Sequence, residues 1–267
     1  MATKGAYWKG RRVLITGSSR GIGRETARYL GTLGARVALN GRNRDRLEQT
    51  AGELENSGIE ILAEAGDVSN RGDMDRLVNR VAETFGGLDV LINNAGVSMR
   101  GPFATISEEL ARRVTEVNLI GAAVATAAAL PLLEESRGSV VFISSAAGLR
   151  GFPNVSIYSA TKMALTGLAD SLSAELRSTG VHVGVLYLGF TENDPDKEIF
   201  DSRGERIQVK RSWQHTQADA AEAIAEAIRR RRRRAVFTAP GRVLALAQRL
   251  SPALVDWAVS RVQVHRR

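Results

Sequence analysis

The chain has 267 residues, of which 43% are hydrophobic, 25% charged and 5% aromatic, a composition typical of a soluble globular protein. It contains no cysteine, which excludes disulfides, thiolate metal sites and thiol catalysis, and its three histidines are too widely separated to favour a zinc hydrolase. No apolar run reaches the ~18–20 residues that cross a bilayer, and the N-terminus lacks the apolar core of a signal peptide. We therefore expect a reduced, cytoplasmic setting.

The net charge of +8 is distributed unevenly along the chain. Residues 229–267 carry 11 arginines and one acid, Asp256, whereas residues 1–228 carry 26 basic and 28 acidic residues. The basicity therefore belongs to the last segment. The arginine run 229–234 lacks the interleaved aromatic residues of a nucleic-acid surface, so nucleic acid is not an expected partner. Its simpler interpretation is a solvated charge cluster at the C-terminal end of a helix.

Short β-branched runs alternate with longer stretches of helical period, which is typical of a parallel sheet covered by helices. The predicted strands are Arg12–Thr16, Arg36–Asn40, Ile59–Ala63, Val90–Asn93, Ser139–Ser144, Val181–Leu188 and Ala235–Thr238. Helices are predicted near residues 22–33, 44–57, 71–85, 107–135, 157–179 and 217–233. We expect an α/β fold of the Rossmann type, a doubly wound, seven-stranded parallel sheet in a single domain.

The predicted organisation has two parts. Residues 1–240 are expected to form a dinucleotide-binding catalytic domain, and residues 241–267 a basic, amphipathic C-terminal extension. Within the first part, residues 190–215 are polar and non-periodic. We expect this segment to be an excursion above the sheet that takes no part in it.

A glycine-rich turn follows the first predicted strand, with the sequence Thr16-Gly-Ser-Ser-Arg-Gly-Ile-Gly23. Its three glycines suit a tight turn whose backbone approaches a pyrophosphate at a helix N-terminus. A glycine triplet alone is also compatible with a plain strand-to-helix turn. Its position after the first strand and before a helix is the context that a dinucleotide site requires.

The end of the second strand bears on which dinucleotide fits. An acid there accepts a hydrogen bond from the ribose 2′-OH of NAD, whereas an arginine accommodates the 2′-phosphate of NADP. The sequence has Asn40-Gly41-Arg42 and no acid. We expect Arg20, inside the glycine turn, and Arg42 to clamp a 2′-phosphate, although both are alternatively ordinary surface arginines. Asp67, after the third strand, is a candidate acceptor for an adenine amino group or a helix cap.

A tyrosine and a lysine stand four residues apart, at Tyr158 and Lys162, on one face of the helix after the fifth strand. A nearby cation favours phenolate and lowers a tyrosine pKa from about 10, so Tyr158 is a candidate to exchange a proton with a carbonyl or alcohol. The spacing alone equally suits a half-buried tyrosine beside a snorkelling lysine. The other motifs must decide between these interpretations.

Together these features resemble the short-chain dehydrogenase/reductase family, in its classical, NADP(H)-preferring form. The resemblance spans about residues 8–190, and its motifs follow the family's order and spacing. They are Thr16-Gly-x-x-x-Gly-x-Gly23, Asp67, Asn93-Asn-Ala-Gly96, Asn118, Ser145 and Tyr158-x-x-x-Lys162. The resemblance implies an NADP(H)-dependent oxidoreductase that transfers hydride between the nicotinamide and a ketone, aldehyde or alcohol.

The resemblance also implies roles for single residues. Tyr158 would be the general acid in reduction and the general base in oxidation, and Lys162 would lower its pKa and bind the nicotinamide ribose. Ser145 would hydrogen-bond the substrate oxygen, and Asn118 would hold a water linking Lys162 to solvent. Ser144 precedes Ser145, but the spacing to Tyr158 favours Ser145. The implied cofactor-binding residues are Gly17, Ser19, Arg20, Gly21, Ile22, Gly23, Arg42, Asp67, Val68, Asn94, Ala95, Gly96, Tyr158, Lys162, Gly189 and Thr191. No metal is implied.

The sequence departs from the family pattern after the sixth strand. Leu188-Gly189 stands where the family has Pro-Gly, so the fixed proline φ beside the nicotinamide is lost, while Thr191 remains in reach of the carboxamide. The large apolar residues that follow either line a substrate pocket or pack the 190–215 segment onto the body. These residues are Phe190, Ile199, Phe200 and Trp213. The sequence therefore does not identify the substrate.

Two short amphipathic helices are predicted in the extension. The apolar residues with helical spacing are Val243, Leu246, Ala247 and Leu250 and, after Ser251-Pro252, Val255, Ala258, Val259 and Val262. These helices either cover the substrate cleft, pack on a neighbouring subunit, or lie with the nearby arginines on an anionic membrane surface.

Two further questions concern partners and function class. We expect a homo-dimer or homo-tetramer, formed through the helix holding Tyr158 and the helix before the last strand. Peripheral contact with the inner membrane surface stays open. The alternative function is a dinucleotide-binding, membrane-associated or protein-interaction module with little turnover, and the intact set Asn118, Ser145, Tyr158 and Lys162 argues against it.

Overall fold

The computed structural model describes residues 3–189, 191, 194, 197–208 and 215–261. The strands are β1 (Arg12–Ile15), β2 (Arg36–Gly41), β3 (Ile61–Ala65), β4 (Val90–Asn93), β5 (Met99–Arg100), β6 (Ser139–Ser145), β7 (His182–Leu188), β8 (Glu198–Asp201), β9 (Arg206–Gln208) and β10 (Arg234–Val236). The helices are α1 (Lys4–Trp8), α2 (Gly21–Thr32), α3 (Arg44–Glu55), α4 (Arg71–Phe85), α5 (Glu108–Thr115), α6 (Gly121–Ser136), α7 (Ser156–Glu175), α8 (Gln217–Arg229), α9 (Ala239–Leu250) and α10 (Pro252–Ser260).

The main sheet has seven strands in the order β10-β7-β6-β4-β1-β2-β3, and all of its neighbouring pairs are parallel. The predicted seven-stranded, doubly wound sheet is confirmed, with strand ends displaced by a residue or two. The chain builds outward from β1 in one direction through β2 and β3, then returns to β4 and builds outward in the other direction. Ligands of such sheets bind at the carboxyl ends of the strands, near this switch point.

Helices cover both faces of the main sheet. Because both faces of each strand are buried, the strand sequences are almost continuous apolar runs. Alternate strand residues face opposite sides. Leu14, Leu91 and Phe142 belong to a core formed with α4, α6 and α7. Ile15 and Ile92 belong to a second core formed with α2, α3 and α8.

The described part of the 190–215 segment lies outside the main sheet, as expected, but it is not irregular. β8 pairs antiparallel with β9 and parallel with β5, which makes a second, three-stranded sheet that the sequence did not predict. These strands have two to four residues, too few for a period to be visible. Phe200 packs on Met99, Leu110 and Val114, so it fixes the segment to the body. Phe190 and Trp213 lie outside the described residues.

The helix predicted over residues 107–135 is interrupted. One π-helical turn, Glu116–Ile120, separates α5 from α6. By length and composition alone, the stretch Glu108–Ser136 could cross a membrane, with a mean hydropathy of 1.6 in its most apolar window, so the expectation that no segment is apolar enough is wrong. Half of that window is buried inside the fold, and alanines of α6 pack in the core. We therefore interpret it as a core helix.

The two helices predicted in the extension are present as α9 and α10. Val243, Leu246 and Leu250 are mostly exposed, and among the described residues of α10 only Val255 is buried. At the start of α9, a Cβ on Gly241 would lie 2.9 Å from a methyl of Val236. The apolar stripe of α9 is therefore not buried against the body of its own chain.

The arginine run is not beside these helices. Arg229 and Arg230 end α8 and pair with Glu226, and Arg231 donates hydrogen bonds to the carbonyls of Arg137 and Gly180. These contacts lie at the amino edge of the main sheet, where β10 begins. α9 leaves β10 at the opposite, carboxyl edge. The run is thus a charge cluster at the C-terminal end of a helix.

Candidate active site

The glycine turn between β1 and α2 is shaped by close backbone packing. Gly17 has φ +63°, and a Cβ there would lie 2.7 Å from Cα of Ala95. A Cβ on Gly23 would lie 2.5 Å from Nδ2 of Asn94. Both positions exclude a side chain, so the turn can lie directly on the end of β4. Arg20 is the N-cap of α2, and since its guanidinium can only donate hydrogen bonds, it does not compete with an anion for the first N–H groups of α2.

The residues that end and follow β4 make hydrogen bonds to this turn and to α6. Oγ1 of Thr16 accepts hydrogen bonds from the backbone N–H groups of Asn94 and Ala95, each at 3.1 Å. Nδ2 of Asn94 donates to the carbonyls of Thr16 and Gly17, each at 2.9 Å. Nδ2 of Asn93 donates to Oγ1 of Thr126 at 2.9 Å. Asn94 and Ala95 therefore lie against the glycine turn, which the Asn94 side chain holds, whereas the Asn93 side chain is bonded to α6.

A cavity of about 200 Å³ lies beside the glycine turn, where the second strand ends. Its lining residues are Ser19, Arg20, Arg24, Arg46, Gln49, Thr50, Glu53 and Asp194. Arg20 lines this cavity, whereas Arg42, its predicted partner in a 2′-phosphate clamp, does not. Arg46, in the first turn of α3, also lines it and was not predicted from the sequence; its N–H donates to Oδ1 of Asn43, the N-cap of that helix, at 2.8 Å.

Arg42 and Asp67, which follow β2 and β3, are brought together in the structure. Nη1 of Arg42 lies 3.7 Å from Oδ2 of Asp67, and both side chains are partly exposed. Oδ1 of Asp67 accepts hydrogen bonds from the N–H and hydroxyl of Ser69. The alternative of Asp67 as a helix cap is wrong, since Asn70 is the N-cap of α4.

Lys162 is buried beneath the carboxyl edge of the sheet, one helical turn after Tyr158 on α7. Its Nζ donates a hydrogen bond to the carbonyl of Ile143 at 2.9 Å and lies 5.9 Å from the centroid of the Tyr158 ring. Burial lowers the pKa of Lys162 to about 8, and the charge of Lys197 adds to this effect. At neutral pH most of the lysine is still a cation, held near the phenol.

The two serines at the end of β6 have different environments. Oγ of Ser144 is buried and donates to the carbonyl of Lys162 at 2.9 Å. Ser145 is half-buried, and its Oγ accepts from the N–H of Ala147 at 3.2 Å, which caps a short 3-10 turn packed on α7. Ser144 therefore holds α7 in place, and Ser145 is the serine at the surface of the site.

Asn118 lies in the π-helical turn and is fully enclosed. Its Oδ1 accepts from the N–H of Val97 at 2.8 Å, and its Nδ2 donates to the Val97 carbonyl and to Oγ1 of Thr161. A Cβ on Gly96 would lie 3.3 Å from Oδ1 of Asn118 and 3.4 Å from Nζ of Lys162. The side chain of Asn118 thus fixes the 96–97 segment against α7 and beside the lysine.

Comparison with known proteins identifies the family to which this arrangement of residues belongs. The family model described as short chain dehydrogenase matches residues 11–204. The chain belongs to the short-chain dehydrogenase/reductase family. It is 30% identical over 241 residues to the mouse protein "Dehydrogenase/reductase SDR family member 7B", covering 87% of this chain and 75% of that protein. It is 37% identical over 182 residues to a Streptomyces coelicolor protein named "Putative ketoacyl reductase", covering 67% and 70%.

A solved structure gives the same result for the fold. The crystal structure of a dehydrogenase/reductase from Sinorhizobium meliloti 1021 superposes with a TM-score of 0.74 at 27% identity, covering 86% of this chain and 94% of that one. Short-chain dehydrogenases/reductases are oxidoreductases that use a nicotinamide dinucleotide, act on small molecules and form oligomers.

The site of this short-chain dehydrogenase/reductase fits such a cofactor. The start of α2 offers N–H groups to a pyrophosphate, and the two glycines at 17 and 23 leave the backbone accessible. Val68 is buried and Ile22 half-buried along the same edge. Beyond β7, Thr191 is buried with its Oγ1 3.4 Å from the carbonyl of Gly189.

Asp194 connects the segment after β7 to this cradle. Its Oδ1 accepts hydrogen bonds from Nη2 of Arg24 at 3.4 Å and from Nε2 of Gln217 at 3.1 Å. Its other carboxylate oxygen would be 3.5 Å from a Cβ on Gly21. Arg24 and Asp194 are 170 residues apart, and no sequence signal links them.

Proposed function

We propose that this protein is an NADP(H)-dependent carbonyl reductase, or the reverse alcohol dehydrogenase. The observation that carries the proposal is the buried ammonium of Lys162 beside the ring of Tyr158, with the half-buried Ser145 at the end of β6, two residues after the Ile143 carbonyl that Lys162 contacts. The name of the ketoacyl reductase relative supports a carbonyl substrate. When bound, the nicotinamide supplies or accepts the hydride.

The proton chemistry would belong to Tyr158. Its phenol donates a proton to the carbonyl oxygen in reduction and takes it back in oxidation. The cation of Lys162 lowers the pKa of that phenol, because phenolate is stabilised by a positive charge nearby. Ser145 donates a hydrogen bond to the substrate oxygen as negative charge develops there. Asn118 acts by positioning, because it holds the 96–97 segment beside the lysine and, in the proposal, a water that links Lys162 to solvent.

The preference for NADP(H) is the finer part of the proposal. Arg20 and Arg46 line the cavity beside the glycine turn, and Arg42 directly follows the last residue of β2. The sequence has no acid at residues 40–42 that would repel a 2′-phosphate. Guanidinium groups bind phosphate through charge-assisted hydrogen bonds. Asp67 then has two tasks, to orient Arg42 and to accept from the adenine amino group.

We also propose a homo-dimer or homo-tetramer formed through α7 and α8, in the cytoplasm. Met163, on α7 one residue after Lys162, is 46% exposed, and a partner helix would cover it. A subunit contact there would support the helix that holds both Tyr158 and Lys162.

The proposal is tested with a panel of ketones, aldehydes and alcohols, supplied with NADPH, NADH or their oxidised forms. Turnover is read from nicotinamide absorbance. Activity should appear with NADP(H), and Ser145→Ala should reduce it strongly, while Ser178→Ala, at an exposed serine between α7 and the amino end of β7, should not. Tight NADPH binding without turnover on any substrate would favour a dinucleotide-binding module instead.

A further inference from the structure

The exposed large apolar side chains of the described chain are concentrated in its last two helices. Eight such residues are exposed, and five of them belong to α9 and α10. These five are Val243, Leu246, Leu250, Leu254 and Trp257, with exposed fractions of 54% to 73%. We call these five residues the apolar patch. Several large exposed apolar side chains on two successive helices of a soluble fold indicate an interaction surface.

Arginines flank this patch. Arg242 and Arg249 are exposed and stand at helical spacings of four and three residues from Leu246, so they lie next to the apolar stripe of α9. The guanidinium of Arg261 lies 4.1 Å from the centroid of the Trp257 ring. The one acid of α9 and α10, Asp256, is paired with Arg150 on the body. The patch therefore presents apolar and cationic groups together.

We propose that α9 and α10 form a docking surface for an anionic lipid bilayer. The docking surface consists of the five exposed apolar residues together with Arg242, Arg249 and Arg261. Helices of this composition lie in the plane of the interface, with apolar side chains at the boundary of the acyl chains and arginines at the phosphates of the headgroups. Tryptophan prefers the same depth, because its ring is apolar and its N–H is polar.

A second copy of the chain fits the docking surface less well. In a twofold contact the same surface meets itself, so three arginines from each subunit would face one another. Among the residues of α9 and α10 the only available acid is already engaged with Arg150. Like charges brought together in this way oppose association. An anionic bilayer supplies the missing negative charge.

The docking surface is mounted on the body near the catalytic segment. Thr238 caps α9 through the N–H of Gly241, and Val255 of α10 is buried. The ion pair between Asp256 and Arg150 joins α10 to the residues that follow Ser145. Docking would hold this side of the active site close to the membrane.

The test is co-sedimentation of the full chain with phosphatidylcholine vesicles, with and without phosphatidylglycerol, at low and high salt. The apolar variant is Leu246→Ser with Leu250→Ser, and its control is Phe103→Ser, at another exposed apolar side chain. The charge variant is Arg242→Gln with Arg249→Gln, and its control is Arg177→Gln. Thermal unfolding and NADPH binding verify that each variant is folded, and sedimentation velocity gives its oligomeric state.

The wild type should bind the anionic vesicles, and high salt should weaken the binding. Each basic residue near such a surface contributes about fivefold in affinity, so the charge variant should lose about 30-fold. The apolar variant should lose at least about tenfold, since two leucines no longer enter the interface. Both controls should bind like the wild type.

Three outcomes would overturn the proposal. The first is that the wild type does not bind anionic vesicles. The second is that the apolar variant and the charge variant bind them as well as the wild type does. The third is that binding to vesicles without phosphatidylglycerol is equally strong and insensitive to salt.

A different result would identify another occupant. If the wild type is an oligomer that does not bind vesicles, and the apolar and charge variants are monomers, a second copy of the chain occupies the docking surface.

Discussion

The two edges of the main sheet contain similar residues put to different uses. At the amino edge, carboxylates hold the arginines. Nε and Nη2 of Arg12 donate to the two oxygens of Asp89 at 2.8 and 3.0 Å, Arg36 pairs with Glu60, and Arg234 with Asp170. At the carboxyl edge, a glycine turn, a helix start without a side-chain cap and a cavity with arginines in its wall lie together. Arg24 and Arg42 are paired at the carboxyl edge too, with Asp194 and Asp67, so what distinguishes this edge is that it also holds the glycine turn and the cavity.

Each edge also buries a base whose pKa is lowered. Burial lowers the pKa of Lys162 to about 8 at the carboxyl edge and that of His182 to about 4 at the amino edge, where Arg231 adds to the effect. Lys162 is accompanied by the Tyr158 ring and the carbonyl of Ile143. His182 starts β7 below the arginine run, far from any group placed for chemistry. A lowered pKa therefore marks burial, and only the neighbours make it a candidate site.

The largest effect is expected from removing the proposed proton donor. Tyr158→Phe should lower turnover about 10²- to 10⁴-fold, because general acid catalysis is lost, while NADPH binding stays measurable. Steady-state kinetics on the best substrate and a fluorescence titration of NADPH measure the two quantities. The matched control is Tyr187→Phe, which removes a hydrogen bond to Thr166 in the core and should leave turnover largely intact. A Tyr158→Phe enzyme with wild-type rate would contradict the mechanism.

The next effect concerns cofactor selectivity. Arg20→Ala, Arg42→Ala and Arg46→Ala should each weaken NADPH binding about 10- to 100-fold, since a hydrogen bond to a charged group is lost, and should leave NADH binding unchanged. Dissociation constants for both dinucleotides give the answer. Arg36→Ala, at the amino edge, is the control and should change neither. Equal losses for NADPH and NADH would show that these arginines do not contact a 2′-phosphate.

Burial of Lys162 should also cost stability. Its pKa is lower in the folded protein than in the unfolded chain, so between about pH 8 and pH 10.5 the unfolded chain binds more protons, and the free energy of unfolding rises with pH. Below pH 8 the folded state bears the full cost of a buried ammonium. The free energy of unfolding of Lys162→Met should therefore be about 2 kcal/mol higher than that of the wild type at pH 7, and this difference should shrink toward pH 10. Urea unfolding of both proteins across this range measures it, and a less stable Lys162→Met at pH 7 would refute the assignment.

The main sheet and the residues at its carboxyl edge were predictable because their signals are local. Each strand is an apolar run covered on both faces, and parallel topology brings the ends of β1, β2, β4 and β6 to one edge. Motifs that sit at those ends, such as the glycine turn and Ser145, then meet without further information.

The remainder depends on tertiary packing. Arg46 reaches the cavity only because Asn43 caps α3, and Asp194 meets Arg24 only after the chain returns from β7. The strands of the second sheet are too short to show a period. The apolar stripe of α9 was visible, but periodicity identifies a stripe without saying whether the fold covers it. In the structure that stripe is exposed.

The smallest effect is expected at the amino edge, from His182. Its pKa of about 4 in the folded protein lies below the value near 6.5 of the unfolded chain, so on acidification the unfolded chain takes up the proton first. The free energy of unfolding should fall as the pH falls from 6.5 toward 4, and His182→Phe should remove this part of the fall. Between pH 8 and pH 5 the wild type should lose about 1 to 2 kcal/mol more than the variant. Urea unfolding at the two pH values measures the difference, in which the carboxylates common to both proteins cancel. Turnover at pH 8 should be similar in the two proteins, since His182 lies at the edge opposite Tyr158. If the free energy of unfolding falls equally in both proteins on acidification, His182 is protonated as readily in the folded protein as in the unfolded chain. A large loss of turnover in the variant would mean that the two edges are coupled through β7.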